Sequence, residues 1–207
     1  MLVNLKYVLD LAEKGNFAIP AFNVYNMESV IGVLHAAEET RAPIIMQIYP
    51  RLMKEETGYF LSPVVKAAAE RASVPVCFHL DHATDLDSIK AAIHVGFSSV
   101  MFDGSELPFD ENARRTAEVV AYAHANGVTV EAELGHVGNA MVGNEKATVF
   151  NENAEDTLTL PDEVVRFVKI TDVDALAVAI GTSHGAFKFK PGTKPQLRFD
   201  ILEEIER

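Results

Sequence analysis

Continuous runs rich in Val, Ile and Phe alternate with amphipathic helical segments along this chain, and that alternation limits its fold more than any other feature. The apolar runs fall at 17–24, 42–48, 74–81, 98–103, 128–134 and 175–181. Unbroken apolarity, as opposed to strict alternation, marks strands covered on both faces, the environment of a parallel sheet. Helices fill the intervals. Asn26 is placed to cap a helix that turns Met27, Val30, Ile31 and Leu34 to one side. Ser62-Pro63 reads as a cap followed by proline in the first turn. Thr84 or Asp85 caps the next helix, with Leu86, Ile89 and Ile93 inward and Gly96 ending it. Asp110 opens a long helix that stops at Gly127, Pro161 opens a fifth, and the segment from Phe199 to Glu206 forms a sixth. The N-terminal fifteen residues have helical periodicity, not the pattern of a signal peptide.

Six βα units admit either a doubly wound open sheet or a (β/α)8 barrel, which needs eight units and about 250 residues. The first βα turn, PAFNVYNME, has no glycine-rich phosphate loop, which argues against dinucleotide binding. Polar residues at almost every strand end favour the barrel, where all those ends share one mouth. They are Asn23, Asp81 with His82, Asp103, Glu133 and His184. The expected fold is therefore α/β, a TIM-type barrel with about six βα units present and the C-terminal units missing. Residues 1–207 then form a single, partial barrel domain. An incomplete barrel exposes strand edges, so such a chain is expected to self-associate or to be the ordered part of a longer protein.

Composition narrows the partners. With 207 residues, 48% of them hydrophobic, the chain can bury one sizeable core. A net charge of −12 with no basic stripe speaks against nucleic acid. A phosphorylated substrate stays open, because a local cluster of cations and backbone N–H groups can bind phosphate. No apolar run reaches the roughly 18 residues of a membrane span. The single cysteine, Cys77, lies in an apolar run and reads as a buried small hydrophobe in a reducing, cytoplasmic setting.

The chemistry concentrates at strand ends. FHLDHATD (78–85) and AIGTSHG (179–185) each place a histidine where a buried strand ends, and VEAELG (130–135) brings Glu133 to the end of another. Imidazoles and carboxylates on different parallel strands can converge on one metal ion. Strict alternation puts Asp81 and His82 on opposite faces, so both serve one site only if the backbone turns there. Asp81 as a helix cap and His82 as a surface residue is the competing reading. His79 reads as a layer residue inside the barrel. Glu131 and Glu133, carried on a buried strand, need a cation or a donor beside them. His35, His94 and His124 read as surface residues of helices. Lys188 and Lys190 follow the His184 turn, and Arg51 is the other cation near a strand end. The polar insert at 136–159 reads as a lid over the site.

Four ordered motifs, FHLDHATD, SSVMFDGSELPFDEN (98–112), VEAELG and LAVAIGTSHG (176–185), together with AIPAFNVYN (18–26), resemble the class II, metal-dependent ketose-bisphosphate aldolases, a family that includes fructose- and tagatose-bisphosphate aldolases. The resemblance implies a TIM barrel that cleaves or forms a C–C bond by way of a metal-stabilised enediolate. By that resemblance, His82 and His184 look like zinc ligands and Glu133 like a carboxylate near the metal. Asp81 looks like the acid/base and Asp103 like a second-cation or structural position. Asn23 looks like a substrate contact, and Gly185 and Lys188 like part of a phosphate site. The implied cofactors are Zn2+ or another divalent cation, and a monovalent cation. The implied partners are a phosphorylated sugar and further copies of the chain in a dimer or tetramer, with neither nucleic acid nor membrane.

Three departures from the family pattern bear on activity. The third histidine ligand of the family lies in an HG(G/A)SG segment, and none occurs before Arg207. The family's mobile loop carries acids that the stretch from Gly135 to Met141 lacks. A small hydroxyl residue expected after the second strand is replaced by Tyr49. A divergent, non-catalytic sugar-phosphate or metal-binding relative is the alternative. A metal-dependent hydrolase on a similar barrel ranks below both, because the usual first-strand His-x-His is absent.

Overall fold

The apolar runs become strands β2 (Ala21–Asn23), β3 (Ile44–Ile48), β4 (Val76–Ala83), β5 (Ser99–Phe102), β6 (Thr129–Leu134) and β8 (Ala175–Val178) in a computed structural model. The structure describes residues 1–135, 138–139, 158–181, 183–184 and 197–207. These six strands lie in that order with every pair parallel, a half-barrel of the TIM type. A two-residue strand, β1 (Leu2–Val3), joins the sheet beside the start of β4. Two more, β7 (Gly138–Asn139) and β9 (Ser183–His184), pair with each other. The lid expected at 136–159 falls mostly outside the described residues.

The helices are α1 (Leu5–Gly15), α2 (Met27–Thr40), α3 (Pro50–Met53), α4 (Glu56–Arg71), α5 (Leu86–Val95), α6 (Phe109–Ala125), α7 (Pro161–Thr171) and α8 (Phe199–Glu206). On the convex side of the sheet, Val76, Phe78 and Leu80 of β4 share one buried cluster with Val65 and Ala69 of α4 and Ile89 of α5. Phe78 stacks on Phe97 with ring centroids 3.7 Å apart. Burying each such ring is worth about 1.5–3 kcal/mol. By strand alternation Cys77 and His79 face the concave side. There Cys77 meets Leu5 and Val8 of α1 and Ile45 of β3 in a separate buried cluster. The Leu5 N–H donates to Thr129 Oγ1 at 3.0 Å and ties the start of α1 to β6. Helix α1 thus covers the N-terminal ends of the strands, and the C-terminal ends remain open.

Several expectations need correction. Ser62-Pro63 does not start a helix; Pro63 sits inside α4. The helix begins at Glu56 because Gly58 lets its first turn lie against α3. A Cβ on Gly58 would come within 2.2 Å of the Leu52 carbonyl oxygen. Ser62 Oγ donates to the Gly58 carbonyl at 2.7 Å, one turn before the proline. In α2, Met27 and Ile31 are exposed, and the stripe packed on the core is Val30, Val33, Leu34 and Ala37, an i, i+3, i+4, i+7 set. Among the first fifteen residues, Leu2–Val3 is extended, and Asn4 caps α1 by accepting from the Tyr7 N–H. Asp85, not Thr84, caps α5. Among the described residues, no helix is long and apolar enough to cross a membrane.

Candidate active site

Asp81 and His82 line one cavity although they are consecutive residues of β4. A regular strand sends neighbours to opposite faces. Here the pairing of β4 with β5 shifts between Leu80 and Ala83, and His82 adopts a left-handed backbone with φ of 52°. A bulge of this kind re-aims a side chain at the rim of a sheet. The strain of a left-handed non-glycine residue is held by the pairing on either side of it. Leu80 pairs with Val100 before the shift, and Ala83 pairs with Phe102 after it.

The cavity, of about 730 Å³, opens at the C-terminal ends of the strands and is also lined by Asn23, Gln47, Asp103 and Glu133. Several of its polar groups have neighbours that fix their direction. Asn23 Nδ2 donates to Asp81 Oδ2 at 2.8 Å, and Gln47 Nε2 donates to Asn23 Oδ1 at 3.1 Å. Residues 23 and 47 are partners in the β2–β3 register, so the sheet itself builds this relay. His82 Nδ1 lies 2.9 Å from Asp103 Oδ2 and 3.6 Å from Glu133 Oε2, and its Nε2 lies 3.7 Å from Asp81 Oδ1. The Asp103 carboxylate holds the His82 imidazole well above its ordinary value, at about 9. Burial works against the Asp103 carboxylate, but hydrogen bonds from His82 and Ser105 prevail and hold it at about 2. Ser105 donates to Asp103 Oδ1 through both its N–H (3.1 Å) and its Oγ (2.7 Å).

Beneath the mouth lies a second polar layer. His79 is fully enclosed, with Nδ1 2.9 Å from Ser99 Oγ and Nε2 3.4 Å from Glu131 Oε2. Burial pushes the His79 imidazole down to about 4, so it is neutral at neutral pH. Burial likewise pushes Glu131 up to about 7, although one edge of its side chain reaches solvent. Asn112 of α6, buried, donates from Nδ2 to the Glu133 carbonyl at 2.9 Å and fixes the end of β6. A Cβ on Gly104 would come 2.2 Å from Asn112 Oδ1, so glycine there lets the turn after Asp103 settle against α6. Thr159 Oγ1 donates to the Leu134 carbonyl and accepts from the Ala179 N–H (2.8 Å), which fastens the end of the insert between β6 and β8.

Among the described residues, His82, Asp103 and Glu133 are the one group of metal-binding side chains whose ligand atoms all lie within 4.8 Å of one another. One imidazole nitrogen with carboxylate oxygens is a donor set that a divalent cation accepts, so these residues fit such an ion.

Residues 3–207 match the family model of class-II fructose-bisphosphate aldolase. The chain belongs to the class-II fructose-bisphosphate aldolase family. It is 45% identical over 207 residues to the fructose-bisphosphate aldolase of Giardia intestinalis, covering 99% of this chain and 61% of that protein. It is 42% identical to the fructose-bisphosphate aldolase of Treponema pallidum, covering all of this chain and 65% of that one. The chain therefore spans under two thirds of the length of these relatives. Its fold superimposes on the YdjI aldolase from Escherichia coli K12 with a TM-score of 0.83 at 34% identity, covering 99% of this chain and 69% of that one. A putative fructose-1,6-bisphosphate aldolase from Coccidioides immitis gives the same score at 35% identity, covering 98% of this chain and 68% of that one.

Asn23, Asp81, His82, Asp103 and Glu133 thus meet in this family member. For His184 the structure describes the backbone, which pairs with Asn139. Gly185 and Lys188, expected at a phosphate site, lie outside the described residues. Sequence reasoning missed Gln47, Asn112 and Ser105. Gln47 had a signal, as the one polar residue inside the apolar run IIMQI. Asn112 had none, because its role depends on how α6 docks on β6.

Proposed function

We propose that this chain is a zinc-dependent aldolase that cleaves and forms the C3–C4 bond of a ketose bisphosphate of the fructose or tagatose type. Residues 1–207 then form one partial TIM-barrel aldolase domain, acting in the cytoplasm on a phosphorylated sugar and assembling with further copies of itself. The observation that carries the reading is the placement of Asp81 and His82 at one mouth, with Asp103 and Glu133 around the imidazole.

In the cleavage direction Asp81 accepts the proton of the C4 hydroxyl. C4 becomes an aldehyde carbon, and the electron pair of the C3–C4 bond stays with the ketone half, which takes up a proton from water at C3 before it leaves as the second triose phosphate. In condensation Asp81 returns the proton to the aldehyde oxygen. Asn23, held by Gln47, keeps the Asp81 carboxylate directed at that hydroxyl. His82, Glu133 and His184 would hold a divalent cation, with Asp103 fixing the direction of the His82 ring. When bound, such an ion supplies Lewis-acid stabilisation of the negative charge that develops on the ketone half. Gly185 and Lys188 would bind the phosphate of that half. No lysine Schiff base is needed.

Incubation with fructose 1,6-bisphosphate and with tagatose 1,6-bisphosphate, followed by product analysis with and without a chelator, tests the reading. Two triose phosphates in equal amounts, lost on chelation, are expected. Turnover that ignores the chelator would reject the metal mechanism. Binding of the sugar phosphates with no cleavage under any divalent metal would favour a non-catalytic relative.

A further inference from the structure

We propose that Arg51 binds the phosphate on the aldehyde half of the substrate and so selects ketose bisphosphates over monophosphates. This rests on the aldolase reading and names a specificity residue within it. The cavity is lined by four acids, Asp81, Asp103, Glu106 and Glu133, and, besides the His82 imidazole that Asp103 holds, by two arginines, Arg51 and Arg115. A phosphate dianion entering that field needs a cation to receive it. Arg115 is already engaged, with Nε 2.6 Å from Glu111. Arg51 has a looser neighbour, Glu55 at 3.7 Å, and its side chain is 80% exposed at the rim. Its guanidinium is available to turn inward.

Sheet order supplies the direction. His82 and Glu133, which would hold the ion that serves the ketone half, lie on β4 and β6. Asp81, which handles the C4 hydroxyl, is bonded to Asn23 on the other side, towards β2 and β3. A substrate laid from the metal ligands past Asp81 therefore carries its far end towards the end of β3. There the chain runs through Tyr49 into α3, and Pro50 at the first helical position is followed directly by Arg51. Tyr49 and Leu52 line the cavity as well. A planar guanidinium grips phosphate with two parallel hydrogen bonds, which a lysine cannot reproduce.

The test compares wild type, Arg51→Ala, Arg51→Lys and Lys54→Ala, all zinc-loaded, on fructose 1,6-bisphosphate and fructose 1-phosphate. Lys54 carries the same charge three residues away but does not line the cavity, so its variant reports general electrostatics. The preference for the bisphosphate, taken as the ratio of kcat/KM values, should fall about 10- to 100-fold in Arg51→Ala, chiefly through KM. Arg51→Lys should recover part of it, and Lys54→Ala should change it less than about threefold. Calorimetric binding of glucitol 6-phosphate, an unreactive hexitol that carries only the phosphate of the aldehyde half, should weaken at least about tenfold in Arg51→Ala. An unchanged preference in Arg51→Ala, or an equal loss in Lys54→Ala, would overturn the proposal. If wild type cleaves neither sugar, the aldolase reading fails, and the glucitol 6-phosphate titration still decides Arg51. Equal binding by wild type and Arg51→Ala then overturns it.

Discussion

His82 and Asp103 face each other across the bulge between β4 and β5, with Nδ1 donating to Oδ2 at 2.9 Å. The carboxylate fixes which way the imidazole points. Removing such a partner from a metal-binding histidine weakens metal binding about 10- to 100-fold. Asp103→Asn is therefore expected to lower zinc affinity by that factor, read by competition with a chromogenic chelator. Affinity equal to wild type would show that Asp103 does not direct the ring.

Asp81 and its relay give a graded expectation. Asp81→Ala should reduce kcat for cleavage of fructose 1,6-bisphosphate by about 100- to 10,000-fold, the range for a lost general acid/base. Gln47→Ala leaves Asp81 in place but frees Asn23, and should reduce kcat by up to about 100-fold with a smaller change in KM. The two losses should not add in the double variant, because Gln47 acts only through Asp81. Additive losses would mean that Gln47 works elsewhere.

Asp85 caps α5 through two bonds from Ser88, N–H to Oδ1 at 2.7 Å and Oγ to Oδ2 at 2.8 Å. Burial works against its charge, but the Ser88 bonds and Lys54 outweigh it and hold the carboxyl below its usual value. A depressed carboxyl stabilises the fold above its unfolded value of about 3.9 and loses that contribution as pH falls through the folded value. Asp85→Ala should cost about 1 kcal/mol at pH 7, with the difference from wild type shrinking below about pH 4. Urea unfolding at pH 7 and pH 3.5 measures both.

Cys77 is fully buried, and burial pushes its thiol up to about 12. The thiolate is the reactive form. The native protein at pH 8 should react negligibly with a disulfide reagent, and should release one equivalent of thiol in denaturant. Rapid labelling of the native chain would contradict the packing of Cys77 against α1.

The positions of β3, β4, β5 and β6 were legible because each is an apolar run with β-branched or aromatic residues, bounded by turn-forming ones. Pro161 marked the start of α7, and periodicity also marked α5. It could not reveal α3, a single turn whose packing depends on Gly58, nor that α4 tolerates Pro63. Strand β1 has only two residues and owes its place to pairing with Val76 and Cys77. In the site, Asp81, His82, Asp103 and Glu133 stood out as polar residues closing buried runs. Their convergence was not legible, because His82 takes its left-handed backbone from the shift against β5, and no glycine announces it. The relay from Gln47 was hidden because it depends on register between two strands 24 residues apart in sequence.

The central claim is that side chains at this mouth hold one divalent ion without which the C–C bond is not broken. The direct test is the rate of fructose 1,6-bisphosphate cleavage by chelator-stripped protein as Zn2+ is returned in fractions of an equivalent. The rate should rise in proportion to zinc and level off near about one ion per chain. A rate untouched by stripping, or no cleavage at any zinc level, would contradict it.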